Sequence, residues 1–249
     1  MSSPSLHNSA EQLSQTPRPS VLITAGPTHE PVDAVRYLGN RSSGTLGVAL
    51  AAASQDHGCP TTLLIGPSNI QIQSELKPVT PGTGCGSASL ADVQRFQTAA
   101  DLERLLAARA PSCDVLVMAA AVADYRPANP YPGKMPRSGQ PFSIELAPVP
   151  DLLAGITPKL RPGAIAIGFA LEEGSTSQPR AEAKMARKGC HAIVLNPLQT
   201  MDSSTIDATI LFADQREPCS PGPLSKAEFA RRLIQIALDL WASRQGATP

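Results

Sequence analysis

From Ser20 onward, short β-branched runs alternate with amphipathic stretches almost to the end of the chain, and this alternation limits the fold more than any other feature. It is the pattern of βαβ units, in which a run covered on both faces enters a parallel sheet and a helix carries the chain back. The runs that read as strands are 21–24, 61–65, 93–96, 115–119, 164–169 and 192–195, with an edge strand at 208–213. Helices read at 44–57, 99–110, 151–156, 180–188 and 226–243. The last places Phe229, Leu233, Ile236, Ala237 and Leu240 at three- and four-residue steps, a stripe that packs on a sheet, with Trp241 closing the contact. The predicted class is α/β: a three-layer, Rossmann-like, mainly parallel sheet.

Two stretches break the rhythm. Residues 66–89, with Pro67, Pro78, Pro81 and the Gly84-Cys85-Gly86 run, are too long and too rich in Gly and Pro for a tight connection and read as a surface insertion. Residues 126–148 carry six prolines around Lys134 and Arg137, with one extended segment at 142–146. This reads as a flap hung between two strands, able to close over a site or to reach a second subunit. Residues 1–19 are polar, without the cationic and apolar segments of a secretory signal, and read as a disordered tail. Residues 20–249 then form one domain.

Composition excludes several function classes. Lys+Arg and Asp+Glu number 21 each, so no excess of cations pulls the chain toward nucleic acid or an anionic membrane. The longest apolar stretches, 115–123 and 164–171, fall well short of the ~20 residues needed to cross a bilayer. The five cysteines are scattered, with no CxxC pair and no histidine at metal-ligand spacing. They read as free thiols of a cytoplasmic protein, and no residue is assigned as a metal ligand.

The candidate chemistry collects at predicted strand ends. After the first strand come Gly26, Arg36 and Asn40, and then Ser42-Ser43-Gly44 open a helix at a place where free amides favour an anion. Ser42 and Ser43 are suited to cap that helix, which is also their ordinary structural account. Asp124 and Tyr125 follow the apolar run 115–123; a strand-end carboxylate can equally cap a turn. Lys184 and Lys188 lie one helical turn apart on one face, either as a solvated pair or as a polyphosphate clamp. GxGxxG, GxxxxGK[ST] and Tyr-x-x-x-Lys are all absent, which excludes a P-loop and weighs against a nicotinamide enzyme. A Rossmann-like flavin- or dinucleotide-dependent oxidoreductase stays open as the alternative reading.

In their order, these segments resemble the phosphopantothenoylcysteine synthetase (phosphopantothenate–cysteine ligase) family, the C-terminal domain family of the DNA/pantothenate metabolism flavoproteins. The carrying motifs are Ile23-Thr24-Ala25-Gly26-Pro27-Thr28, Val35-Arg36-Tyr37, and Asn40 with Ser42-Ser43-Gly44. Further on come 119–125 with Lys134, Pro150-Asp151-Leu152-Leu153, Gly168-Phe169-Ala170, and Lys184 and Lys188 before Ile193-Val194-Leu195-Asn196. The match runs from about 20 to 243 and leaves no room for the flavin decarboxylase half, so the chain resembles the stand-alone ligase.

The resemblance implies a cytoplasmic homodimer that joins 4'-phosphopantothenate to L-cysteine with CTP or ATP and Mg2+, through an acyl-nucleotide intermediate. By the same resemblance, Asn40 and Lys134 are catalytic. Lys134, Lys184 and Lys188 hold the triphosphate, while Asp124, Pro150, Asp151, Leu152, Leu153 and Phe169 hold the nucleotide. Gly26, Arg36, Asn40, Ser42, Ser43, Gly44 and Ala120 bind the substrate, with Arg36 reaching across a dimer interface. Arg36, Arg41, Lys134, Lys184 and Lys188 are then expected to converge at the carboxyl edge of the strands. Thr45 stands where a lysine is common in the family, His29 where an arginine is common and Pro136-Arg137 where the flap has two more lysines, and Ala147-Pro148-Val149 lacks the polar residues often found there. These departures bear on the choice of base more than on the reaction class.

Overall fold

The computed structural model describes residues 18–72, 76, 92–174, 176–198 and 203–246. Apart from Arg18 and Pro19, the predicted tail lies outside them, as does most of the 66–89 insertion. In chain order, the first half has β1 (Val21–Ala25), β2 (His29–Pro31), β3 (Tyr37–Gly39), α1 (Thr45–Asp56), β4 (Thr61–Ile65), β5 (Asp92–Arg95), α2 (Ala99–Arg109) and β6 (Val115–Met118). The second half has β7 (Tyr125–Pro127), β8 (Leu146–Pro148), α3 (Leu152–Ile156), β9 (Ile165–Glu172), α4 (Ser177–Lys188), β10 (Ala192–Pro197), β11 (Thr205–Ile206), β12 (Thr209–Phe212), β13 (Leu224–Ser225) and α5 (Lys226–Gln245).

Seven strands form the central sheet in the order β12-β10-β9-β6-β1-β4-β5. All neighbours are parallel except β12, which closes the edge antiparallel to β10. Alternation within each strand builds the three layers. Val21 and Ile23 of β1, with Val115 and Val117 of β6, face a core shared with Val48 of α1 and Phe229, Leu233 and Ala237 of α5. Leu22 and Leu116 face the other way, against Leu102 and Leu106 of α2, Leu153 of α3 and Met185 of α4. Both faces are therefore covered, which is why these strands read as unbroken apolar runs.

Helix starts are chemically marked. Thr98 and Asp101 form a capping box on α2, and Ser225 and Glu228 form another on α5. Buried Glu30 adds a longer-range contact, accepting the Ala99 amide at 2.8 Å and so fixing the β2–β3 hairpin to the head of α2.

The structure corrects several expectations. The arm's strand lies at Leu146–Pro148, paired with Tyr125–Pro127, and not at 142–146. The start of the insertion is not surface loop: Ile72 and Leu76 are buried against the α1/α5 core, and Ile70 packs beside them. On α5 the buried stripe includes Ala230 and Ile234, while Ile236 and Trp241 are only half-buried.

Chain order now locates a site. From β1 the chain builds outward through β4 to β5, returns along α2, and builds the other way from β6 through β9 to β10. Loops leaving the carboxyl ends of β1 and β6 diverge, and such a divergence leaves a crevice where doubly wound sheets bind ligands.

Candidate active site

A cleft of about 910 Å3 opens at that divergence. Its floor is the 119–124 segment after β6, held by groups from the β1 side. Fully buried Thr24 and Thr28 each accept a backbone amide through Oγ1: Ala120 to Thr24 at 3.1 Å and Ala123 to Thr28 at 3.0 Å. The Ala121 amide donates to the Gly26 carbonyl at 2.9 Å, and Asn40 Nδ2 donates to the Val122 carbonyl at 2.9 Å. Asn40 is thus tied to the floor through its amide nitrogen, and its exposed side chain lines the cleft.

One wall is the head of α1. Gly44 is its N-cap, at φ 80°, a backbone region costly for residues with a Cβ. Gly47 lies so close to β1 that an added Cβ would stand 2.2 Å from that of Ala25. The helix is thereby pressed end-on against the strand terminus. The serines do not cap it as expected: Gly44 offers no side chain, and Ser43 Oγ pairs with Thr45 Oγ1 at 2.8 Å and accepts the Thr45 amide at 3.3 Å. Most first-turn amides are left for water or an anion. Ser68, from the start of the insertion, donates to the Ser43 carbonyl at 2.8 Å and braces this turn.

The opposite wall is cationic. Lys184, Arg187 and Lys188 of α4 line the cleft beside Phe169, Asp124 and the 150–153 turn. Both lysines already meet carboxylates: Lys184 pairs with Glu172, and Lys188 Nζ lies 3.1 Å from Asp151 Oδ1. Asp151 also caps α3 by accepting the Ala154 amide at 3.2 Å. Burial alone would raise its pKa, but the Ala154 amide and Lys188 outweigh that and lower it.

Of the predicted residues, Asn40, Ser42, Ser43, Gly44, Ala120, Asp124, Pro150, Asp151, Leu152, Leu153, Phe169, Lys184 and Lys188 line this cleft. Gly26 sits directly behind Gly44. Arg36 and Lys134 do not line it, and the expected convergence of five cations is not found in the single chain; only Arg41, Lys184 and Lys188 of that set are there. The reason is local: the arm's 131–135 segment is bonded back onto the 32–36 loop, with Tyr131 donating to the Val32 carbonyl and Ala34 to the Gly133 carbonyl, both at 2.9 Å. Sequence reasoning missed Asn196 and Lys226 as lining residues. The Ser-x-x-Glu pattern at Ser225 and Glu228 marks a helix start, but not which edge of the sheet it meets.

Thiol chemistry has little footing here. Burial, with the nearby Asp114 charge, pushes Cys113 up to about 12, and burial pushes Cys190 up to about 11 and raises Cys59. These three stay protonated and weakly nucleophilic at neutral pH. Among the described residues, no three His, Cys, Asp or Glu side chains converge as a metal cage, and no helix is long and apolar enough to cross a membrane.

The sequence pattern of the DNA/pantothenate metabolism flavoprotein C-terminal domain matches residues 18–240. The chain belongs to this family. Among similar family proteins, the coenzyme A biosynthesis bifunctional protein CoaBC of Mycobacterium tuberculosis (strain ATCC 25618 / H37Rv) is 34% identical over 234 residues, covering 89% of this chain and 52% of that protein. The chain thus spans about half the length of the curated relatives it matches. A crystal structure of a CoaBC C-terminal domain superposes with a TM-score of 0.68 at 27% identity, over 92% of this chain and 97% of that one. A Cab2 variant in complex with phosphopantothenate-cysteine shares the fold, with a TM-score of 0.70 at 18% identity, over 92% of this chain and 89% of that one.

Proposed function

We propose that the chain is a phosphopantothenate–cysteine ligase, joining 4'-phosphopantothenate to L-cysteine at the expense of CTP. The observation that carries this reading is that one cleft is lined on one side by the head of α1, whose N-cap Gly44 offers no side chain, and on the other by the α4 lysines, across a floor beside Asn40. One wall suits the phosphate of the acid substrate, and the other suits a triphosphate. Between them a carboxylate must meet an α-phosphate, and two anions approach in line only where fixed positive groups neutralise them.

In the first step the substrate carboxylate attacks the α-phosphorus, the bond to pyrophosphate breaks, and an acyl-cytidylate forms. In the second the neutral cysteine amine attacks the acyl carbon, the acyl–oxygen bond to CMP breaks, and the amine's proton passes to solvent or the departing CMP. One Nδ2 hydrogen of Asn40 goes to the Val122 carbonyl, and in this reading the other donates to the acyl oxygen as charge develops there. Asp124, the 150–153 turn and Phe169 hold the nucleotide. With no carboxylate cage in the described residues, Mg2+ would be carried mainly by phosphate oxygens, with the cleft carboxylates of Asp124 and Asp151 available beside them. It would supply charge neutralisation on the triphosphate.

The same reading includes a homodimer. Of the ten exposed large hydrophobic side chains among the described residues, seven (Val35, Tyr37, Tyr125, Tyr131, Phe142, Ile144 and Leu146) lie on the 32–37 loop and the arm, the surface a second copy would cover, and Val93, Leu171 and Leu198 lie elsewhere. Arg36 and Lys134 lie on that surface and would complete the partner's cleft. Pyrophosphate release should require phosphopantothenate and a nucleoside triphosphate together, faster with CTP than ATP. Release without the acid, or none with either nucleotide, sinks the reading.

A further inference from the structure

One buried carboxylate joins the arm to the 32–36 loop. Asp33 is 5% exposed. Its Oδ1 accepts the amides of Val35 at 2.8 Å and Arg36 at 2.7 Å. Its Oδ2 accepts Arg36 Nε at 3.0 Å, the Met135 amide at 3.1 Å, and Arg36 Nη2. Arg36 Nη2 also donates to the Met135 carbonyl at 3.2 Å, so both backbone groups of Met135 are engaged. On the other side of Lys134, the Gly133 carbonyl accepts the Ala34 amide. An exposed lysine in a proline-rich arm is thus held before and after by a single loop.

We propose that Asp33 is a positioning residue, which fixes the backbone around Lys134 and aims the Arg36 guanidinium so that the two cations absent from the chain's own cleft are presented as one rigid unit. The proposal rests on the ligase reading for what those cations do. A carboxylate is needed because five donors converge on two oxygens, and asparagine has only one acceptor oxygen to meet them. Its NH2 would face either the Met135 amide and Arg36 side chain or the Val35 and Arg36 amides, donor against donor. The carboxylate also carries the charge that holds Arg36, whose exposed side chain would otherwise sample many rotamers. Misplacing a reacting group by about 1 Å can cost ~100-fold in rate, so rigidity of this unit bears directly on turnover.

The test is Asp33→Asn in the full chain. Hydrogen exchange at the Met135 amide should accelerate, and kcat/KM for the nucleotide should fall about 10- to 100-fold. In an Arg36→Ala/Lys134→Ala background, Asp33→Asn should lower kcat/KM by less than about 2-fold, since the groups it positions are gone. An equal loss in both backgrounds, or unchanged exchange at Met135, overturns the proposal. If Asp33→Asn does not fold, Met135→Pro deletes one donor on the arm and leaves the Asp33–Arg36 pair; it should lower kcat/KM in the wild type and not in Lys134→Ala. Exchange needs no turnover, so an inactive wild type would refute the ligase reading and still leave the Asp33 proposal decided.

Discussion

The cleft and the arm hold their candidate functional side chains in opposite ways. Cleft residues stand at the ends of β1, β6 and β9 and on α4, elements whose other faces are buried in two cores. The arm exposes its large side chains instead, Tyr125 and Phe142 each by 55%, and is held to the body by the β7–β8 ladder, backbone bonds to the 32–36 loop and the Asp33 carboxylate. Packing therefore places one set of groups within the chain's own cleft, while the other stands on the outer surface that, in the proposed dimer, a second copy would cover. Substitutions of exposed cleft side chains such as Asn40 should change chemistry without changing assembly, whereas those in the arm should change chemistry through assembly.

The sharpest separation comes from Asn40→Asp. Removing one donor to a developing oxyanion costs ~10²–10³ in kcat, so product formation should fall by that factor while nucleotide activation, measured as pyrophosphate exchange, and dimerisation persist. Wild-type product formation would remove Asn40 from its role. Next, Asn40→Ala and Lys134→Ala proteins, each reduced about 100-fold but still measurable alone, should recover about a quarter of wild-type activity when mixed and allowed to exchange subunits. Half the dimers are then mixed, and each has one intact cleft facing one intact arm. No recovery would mean that the arm serves its own cleft, and the contrast drawn above would collapse.

Smaller effects probe the supports. Gly47→Ala forces a methyl group onto Ala25 and should lower stability by about 1–3 kcal/mol in chemical denaturation, displacing the head of α1 as well. A normal midpoint would show that the helix is not pressed on the strand as described. The smallest effect is on acid stability. The Arg36 guanidinium beside Asp33 holds its carboxyl well below the usual carboxylate range. Its contribution is therefore fully present above about pH 4, the unfolded value, and is lost as pH falls toward the lower folded one. The melting temperature of Asp33→Asn should accordingly fall less steeply between about pH 5 and pH 3 than that of the wild type.

The legibility of each region followed its burial. β4 was legible in full because nearly all of its positions are buried, leaving a β-branched and apolar run, Thr61-Thr62-Leu63-Leu64-Ile65, bounded by Pro60 and Gly66. The arm strand was misplaced because Leu146–Pro148 has no buried position, and a strand exposed on both faces leaves no alternation to read. The serines at the head of α1 failed as caps because Gly44, at positive φ, takes the N-cap position that serine side chains would need. Lys226 was invisible because a helix start in sequence carries no information about which sheet edge it meets.

The sequence by itself determined the α/β class, most of the strands and helices, and the order of motifs that places the chain in its family, since all of these follow from local periodicity and short spacings. Only the tertiary structure decided which charged groups share a cleft. Lys184 and Lys188 do, because α4 starts just past the carboxyl end of β9, where Lys184 pairs with Glu172, and Lys188 reaches Asp151 of the 150–153 turn. Lys134 and Arg36 do not, because Asp33 and the 131–135 backbone bond them to each other on the outer surface. Contacts between residues about a hundred positions apart depend on how the layers dock, and no local pattern encodes them.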